Sequence, residues 1–183
     1  MTLKLIFLLF LLLLFWWLAL VYNVYLIIAF FNFHKRAPYV PSFNSHLRIM
    51  KKWLKLLQWK KLIDLWCWDG KALRFFSSNF WLICDWYEVN RSAIIYWRII
   101  NYFRKPTNVK IHKQNFLKAD LKKYDYIYIY LLTEQLAKIE DWVFQNIQKN
   151  AIIISNSFKF TKHQPFQTIK NDRWKDCIFL YKK

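Results

Sequence analysis

Glycine is almost absent from this chain. Its 183 residues include one glycine, Gly70, whereas the usual frequency of about 7% predicts roughly 13. So few glycines leave few positions for turns that need a positive φ or a close backbone approach. Tryptophan shows the opposite bias, because its eleven copies equal the number of tyrosines. The shortage of one residue and the excess of the other are of similar size.

Acidic residues and cysteines are also few. Eleven Asp and Glu face 29 Lys and Arg, which gives a net charge of +18. Cys67, Cys84 and Cys177 form neither a disulfide framework nor a zinc-ligand spacing, and they indicate free thiols in a reducing compartment. The histidines show no metal-ligand spacing either, so we expect no metal site. An apolar share of 56% and an aromatic share of 21% exclude a disordered, collagen-like or mucin-like chain.

An uncharged segment lies near the start of the sequence. Residues 5–33 carry no charge, which is enough for one membrane-spanning helix. A cleaved signal peptide fits less well, because the run is long and no small-residue cleavage site follows it. Lys4 alone precedes the segment and several basic residues follow it, so we expect a single-pass membrane protein with a cytoplasmic C-terminal domain. We predict an anchor at 1–34, a basic linker with a leading helix at 35–58, and a soluble domain at 59–183.

Two interpretations of the positive charge stay open. Nearly all of it follows the apolar segment, and a tethered basic domain is expected to contact anionic lipid. A lysine-rich composition without a specific partner would give the same charge. The sequence argues against nucleic acid as a partner, because no basic helix, RNP-type motif or zinc finger is visible.

Short apolar runs alternate with helical stretches through the rest of the chain. This alternation predicts an α/β fold, with a Rossmann-like, doubly wound and mostly parallel sheet. The predicted strands are 61–65, 81–88, 108–112, 124–131, 151–155 and 177–181. The predicted helices are 46–58, 71–79, 91–103 and 134–149.

The first predicted strand runs into an acidic turn that contains the glycine, Asp64-Leu65-Trp66-Cys67-Trp68-Asp69-Gly70. In doubly wound sheets, ligands bind at the carboxyl ends of the strands, usually beginning at the first strand-to-helix turn. Glu88 ends the second predicted strand, where a carboxylate can accept hydrogen bonds from ribose hydroxyls. These features predict a nucleoside-binding turn.

Three motifs together resemble those of a known family. Residues 64–70 resemble the loop Asp-Leu-Gly-Cys-Gly-Asp-Gly, residues 85–90 resemble Gly-Tyr-Glu-x-Asn, and residues 58–61 resemble Pro-Gly-Lys-Lys, all of class I S-adenosylmethionine-dependent methyltransferases. With the N-terminal span and Ala-Pro-Tyr-Val-Pro-Ser at 37–42, the chain resembles the small membrane-anchored protein-lysine methyltransferases that act on the ATP synthase c subunit and the adenine nucleotide translocase. The resemblance implies S-adenosylmethionine as cofactor and a membrane-protein lysine as methyl acceptor.

The resemblance also implies a set of site residues. Those expected to bind the cofactor are Asp64, Trp66, Cys67, Trp68, Asp69, Gly70, Glu88, Asn90, Asn115 and Phe116. Those expected on the substrate side are Tyr39, Asn156 and Phe158. Near the end of the fourth predicted strand, Tyr130, Thr133 and Glu134 are candidates to assist deprotonation of a lysine.

Simpler roles stay open for several of these residues. Asp64 and Asp69 also suit a capped turn, and residues 115–116 also suit an ordinary loop. Residues 133–134 also suit a helix cap. The Asp/Asn-Pro-Pro-aromatic motif of nucleic-acid amino-methyltransferases is absent after the fourth strand, which argues against methylation of a base.

Tryptophan stands where this family has glycine. The positions are Trp59, Trp66, Trp68 and Trp86, and Trp81 is a fifth candidate. Indoles at 66 and 68 would fill the cofactor's space, as in a non-catalytic membrane-bound relative. Our hypothesis is instead that UGA codons, which some bacteria read as glycine, were translated as tryptophan. Methylation of a small molecule or a lipid by the same fold is a further alternative.

Overall fold

The structure is a computed structural model that describes residues 3–33, 42–67, 69–104, 108–171 and 175–183. The chain divides into two compact units, Met1–Pro38 and Tyr39–Lys183. The first contains helix α1, Leu3–Phe33. Its segment Lys4–Tyr25 has a mean hydropathy of 2.8 and is long and apolar enough to cross a membrane. Because its apolar side chains cover every face, α1 differs from the amphipathic helices that pack one apolar face on the core of a soluble domain.

The second unit is built around a seven-stranded sheet. Its strands are β1 Lys61–Asp64, β2 Ile83–Tyr87, β3 Val109–His112, β4 Tyr126–Ile129, β5 Ile152–Asn156, β6 Gln167–Lys170 and β7 Asp176–Tyr181. The order across the sheet is β3-β2-β1-β4-β5-β7-β6. The first five strands in this order run parallel, and β7 is antiparallel to both β5 and β6. The predicted Rossmann-like, mostly parallel sheet is confirmed.

Four helices accompany this sheet. They are α2 Asn44–Trp53, α3 Lys71–Phe80, α4 Arg91–Arg104 and α5 Thr133–Asn146. Alternate residues of the strands enter two separate cores. Leu62, Tyr128 and Ile154 pack with α2 and α3 on one face, whereas Ile63 and Ile127 pack with α5 on the other. This alternation follows from the two-residue period of a strand and buries both faces of the central strands.

Several predicted elements need correction. The second strand begins at Ile83 rather than at residue 81, because Trp81 ends α3 in a left-handed conformation, and α5 ends at Asn146 rather than at residue 149. The leading helix ends at Trp53 rather than at residue 58, because the chain becomes extended at Leu54 and the Leu57 N–H is satisfied by the Tyr126 hydroxyl. The fourth strand spans Tyr126–Ile129 rather than residues 124–131; at its start, the Tyr124 N–H bonds to the Leu121 carbonyl and so closes a short 3-10 helix, Leu121–Lys123. The strand β6 was missed, since only Ile169 among its four residues is buried and so short a polar run has no clear period.

A buried carboxylate of α5 organises the loop before β6. Glu140 is fully buried and accepts hydrogen bonds from the backbone N–H groups of Thr161, Lys162 and His163. The Thr161 hydroxyl and the His163 Nδ1 also bind this carboxylate, at 2.7 and 2.9 Å. Burial acts to raise the pKa of Glu140, but the hydrogen bonds from His163, Thr161 and Lys162 outweigh it and lower the pKa to about 2. The carboxylate therefore stays ionised and stabilises this loop.

Candidate active site

The turn after β1 places two carboxylates beside a left-handed glycine. Asp64 ends β1 with 1% of its surface exposed, and its Oδ1 accepts the Trp66 N–H at 2.9 Å. Asp69 accepts the Lys71 N–H at 3.0 Å and so caps the first turn of α3. Gly70 has a φ of 70°, which glycine adopts without the steric penalty of a Cβ. The backbone therefore turns within a few residues of the strand end, at the edge where ligands bind in this architecture.

Negative charge is concentrated in this turn. Burial, with smaller contributions from the neighbouring Asp69 and Glu88, outweighs the hydrogen bonds from Trp66 and Cys67 and raises the pKa of Asp64 to about 7. Burial also raises the pKa of the Cys67 thiol well above its usual value, so this thiol stays protonated and unreactive. A buried carboxyl with a raised pKa gains most from a cationic ligand, which would favour its ionised form.

Glu88 and Asn90 lie at the neighbouring strand end. β1 and β2 pair in parallel, with Asp64 opposite Trp86, so Glu88 follows β2 at the same edge of the sheet as the acidic turn. The Glu88 Oε1 accepts the N–H groups of Val89 and Asn90, at 2.8 and 2.7 Å. The structure therefore brings together the two acidic strand ends that the sequence assigned to one site.

The two residues predicted to border the adenine differ in their surroundings. Asn115 is exposed, and its Oδ1 accepts the Leu117 N–H at 3.0 Å, which caps a short 3-10 helix. The Phe116 ring packs edge-on against the Trp66 indole at a centroid distance of 6.2 Å. Phe116 is thus adjacent to the acidic turn, whereas the Asn115 side chain caps the short 3-10 helix.

Two of the tryptophans adopt a backbone conformation that favours glycine. Trp59 and Trp81 have φ values of 62° and 55°, and the Trp59 N–H donates to the Trp81 carbonyl at 3.0 Å. The left-handed conformation is unfavourable by roughly 1–2 kcal/mol for a residue that has a Cβ. Both indoles are exposed, so little burial offsets this strain.

Three other indoles are buried without a partner for their N–H group. Trp66, Trp86 and Trp97 each bury an Nε1 that has no hydrogen bond, and such a group is destabilising by about 1–3 kcal/mol. Trp86 is fully buried and its ring lies 5.9 Å from that of Trp97. The Trp97 ring in turn covers Gly70, since a Cβ on this glycine would clash with it. Trp68 lies outside the described residues.

The carboxyl ends of β4 and β5 carry a polar network. The buried Asn156 donates through Nδ2 to the Tyr128 hydroxyl at 3.0 Å, and its Oδ1 accepts from the His46 Nδ1 at 2.8 Å. The Tyr128 hydroxyl also lies 3.2 Å from the Ser42 Oγ. Asn156 was predicted on the substrate side, but His46, Tyr128 and Ser42 were missed. Their only sequence signal is that Ser42 ends the 37–42 motif and His46 follows it by one helical turn.

An aromatic pair adjoins this network. The rings of Tyr130 and Phe158 stack at a centroid distance of 6.2 Å, so two predicted site residues from different strands meet. Ser157, between β5 and Phe158, has a φ of 68°, and its Oγ lies 3.3 Å from the His46 Nδ1. Burial raises the pKa of Tyr130, against a hydrogen bond from Ser157.

Two other residues predicted near the acceptor lie at the start of α5. Thr133 and Glu134 are exposed in the first turn of α5, where a carboxylate favours the positive end of the helix dipole. Tyr39 lies outside the described residues. The Lys71 Nζ, at the start of α3, donates to the Ser42 carbonyl at 2.6 Å.

Comparisons with known proteins identify the fold but match no family by sequence. No known family model matches this chain, and no curated protein matches it. Among solved structures, it is similar to an RNA methyltransferase from Salinibacter ruber in complex with S-adenosyl-L-homocysteine, with a TM-score of 0.70 at 16% identity over 78% of this chain and 93% of that one. It is similar to MtNAS in complex with MTA and tNA, with a TM-score of 0.60 at 9% identity over 75% of this chain and 58% of that one.

A third similar structure is a precorrin-6y C5,15-methyltransferase from Geobacter metallireducens, with a TM-score of 0.54 at 14% identity over 67% of each chain. At these identities the likeness establishes the fold. The sheet-containing unit has the class I methyltransferase fold, and a fold by itself leaves the reaction to be argued from the site.

Proposed function

We propose that this protein is an S-adenosylmethionine-dependent methyltransferase, attached to a membrane by α1, that methylates an amine. The observation that carries this proposal is the meeting of two acidic strand ends, Asp64 and Glu88, beside the left-handed Gly70. This arrangement stands at the carboxyl edge of a sheet whose fold is shared with a methyltransferase solved with S-adenosyl-L-homocysteine.

The charged groups of this edge fit the cofactor. The methionine part of S-adenosylmethionine carries an α-ammonium group, which suits the carboxyl groups of Asp64 and Asp69, and the ribose hydroxyls suit the carboxylate of Glu88. The Trp66 indole, packed on Phe116, does not fit the cofactor. When bound, the cofactor supplies a methyl group that is activated for transfer by the sulfonium.

The amine acceptor is supported by the network at the ends of β4 and β5. Asn156 and Tyr128 are buried, whereas the Ser157 Oγ beside them belongs to a partly exposed residue and is an acceptor that can hold an N–H group of an amine. The stacked rings of Tyr130 and Phe158 can contact its alkyl chain or its positive charge. An amine must lose a proton before it attacks a methyl group, and Tyr130 and His46 are the nearby groups that can accept or relay one.

A lysine of a membrane protein is the acceptor that we propose. The candidate span in α1 would restrict encounters with such a substrate to the membrane, which raises its effective concentration. The resemblance to membrane-anchored lysine methyltransferases supports the same assignment. The excess of basic residues after the span indicates that the domain lies on the cytoplasmic side.

We also propose that several of the tryptophans are glycines in the natural protein. The left-handed φ at Trp59 and Trp81 and the unpartnered indole groups of Trp66 and Trp86 support this. The first test is to read the gene and to weigh the corresponding peptides of the natural protein by mass spectrometry. UGA codons at 66 and 68 with glycine in the peptides are expected, and UGG codons there would refute the recoding.

Cofactor binding tests the methyltransferase proposal itself. The full-length chain with Trp66→Gly and Trp68→Gly is expected to bind S-adenosylmethionine in equilibrium dialysis, whereas the chain with both tryptophans is expected to bind at least about tenfold more weakly because an indole fills the site. The matched control is Trp142→Gly, made in the chain that keeps Trp66 and Trp68. This variant is not expected to restore cofactor binding. If the glycine chain binds no cofactor, the protein is a non-catalytic relative.

Methyl transfer then separates the possible acceptors. Membranes are incubated with the glycine chain and S-adenosylmethionine carrying a labelled methyl group, and lipids are extracted from the protein fraction. Label in a membrane protein, located on lysine by mass spectrometry, is the expected result. Label in the lipid extract, or in the small-molecule fraction, would overturn the lysine assignment and leave the class of enzyme unchanged.

A further inference from the structure

Helix α4 presents an apolar face to solvent. The side chains on this face are Ile95, Tyr96, Ile99, Tyr102 and Phe103, and their exposures range from 49 to 77%. They lie on one side of the helix, because positions four and seven residues apart share a face. Soluble domains rarely leave so many large apolar side chains together in water, and such patches mark interaction surfaces.

The charges on α4 all have one sign. The helix contains Arg91, Arg98 and Arg104 and no acidic residue. Arg91 and Arg98 are seven residues apart and therefore border the stripe formed by Ile95, Ile99 and Tyr102. The opposite side of the helix faces the domain, where Ala93, Ile94 and Asn101 are buried. Aromatic and aliphatic side chains edged by arginine are typical of helices that lie in a bilayer interface.

We propose that the exposed face of α4 docks on the headgroups of an anionic lipid bilayer. The arginines would pair with lipid phosphates while the apolar side chains enter the headgroup boundary. This inference rests on the proposed membrane attachment, which would hold the domain near such a surface. Docking of a second copy on the same face is disfavoured, because symmetric pairing of two α4 helices brings like charges together.

Site-directed fluorescence on the full-length chain tests this inference. The native cysteines are buried, so Tyr102→Cys can be labelled selectively with a polarity-sensitive dye. Phe166→Cys is the matched control, because Phe166 is also an exposed aromatic residue but precedes β6, at the opposite edge of the sheet. Both proteins are placed in nanodiscs of phosphatidylcholine, with or without phosphatidylglycerol, and the dye is quenched with acrylamide, a neutral quencher that an anionic surface does not repel.

The expected result is protection confined to α4. In anionic nanodiscs, we expect quenching of the label at 102 to fall at least about threefold while quenching at 166 is unchanged, as for a probe that leaves water. Arg91→Gln with Arg98→Gln is expected to weaken docking by about 25-fold, since each basic residue near such a surface contributes roughly fivefold.

Three results would overturn the inference. Equal quenching of both labels in anionic nanodiscs would show that α4 stays in water. Energy transfer between labelled copies in one nanodisc, with the same protection in neutral lipid, would assign the face to a second copy. A chain that does not co-elute with nanodiscs at all would refute the membrane attachment itself, which distinguishes that failure from the first.

Discussion

Replacing Asp64 by asparagine is expected to stabilise the domain and to lower its affinity for S-adenosylmethionine. Asp64 is buried at the end of β1, and folding raises its pKa from 3.8 to about 7. Its ionisation therefore opposes folding. Asparagine keeps the oxygen that accepts the Trp66 N–H but carries no charge, so the penalty disappears.

The magnitude follows from proton linkage. Because the folded-state pKa is the higher one, the protonated carboxyl stabilises the native state fully below pH 3.8, and this contribution is lost as the pH rises through about 7. A shift of this size corresponds to about 4 kcal/mol, since each pKa unit represents about 1.4 kcal/mol. Between about pH 4 and about pH 8, the free energy of unfolding should thus fall by roughly that amount in the wild type relative to Asp64→Asn.

The assay is urea unfolding of the full-length chain in nanodiscs, followed by tryptophan fluorescence at several pH values. Asp125→Asn is the control, because Asp125 is a partly exposed carboxylate at the opposite end of the sheet. The same Asp64→Asn protein, made in the glycine background, is expected to bind S-adenosylmethionine about a hundredfold more weakly, as a charged hydrogen bond is lost. A difference in unfolding free energy that does not change with pH would refute the argument.

Three further predictions concern other parts of the domain. Glu140→Gln should lower the unfolding free energy by about 3 kcal/mol at neutral pH, whereas Asp141→Asn, at an exposed residue, should lower it by under 1 kcal/mol. Folding lowers the pKa of Glu140 from 4.5 to about 2. The contribution of Glu140 is therefore present above about pH 4.5 and should disappear on acid titration through about pH 2. Trp59→Gly and Trp81→Gly should each raise the free energy of unfolding by about 1 kcal/mol, seen as a higher urea midpoint. A lower midpoint would contradict the left-handed conformation at these residues. Glu88→Gln in the glycine background should raise the cofactor Kd at least about tenfold without changing the urea midpoint, and an unchanged Kd would remove Glu88 from the ribose site.

Local patterns determined much of this protein in advance. The uncharged run predicted α1, and the alternation of apolar runs with helical stretches predicted the parallel sheet, because both depend on hydrophobic period and length. The acidic turn at Asp64 and the strand end at Glu88 were also predictable, since parallel neighbouring strands bring their carboxyl ends to one edge. The tryptophans at positions where the resembled family has glycine were visible from the motifs as well.

Tertiary structure alone decided the polar network around Asn156 and the backbone strain at the left-handed tryptophans. Asn156 meets His46 across more than a hundred residues of sequence, and no local pattern encodes such a contact. The pKa of Asp64 depends on burial, which is a property of the packed fold. The exposure of α4 was likewise undecided, because its sequence suits a helix packed on a core as well as one on a bilayer, and only packing shows which side chains the domain leaves uncovered.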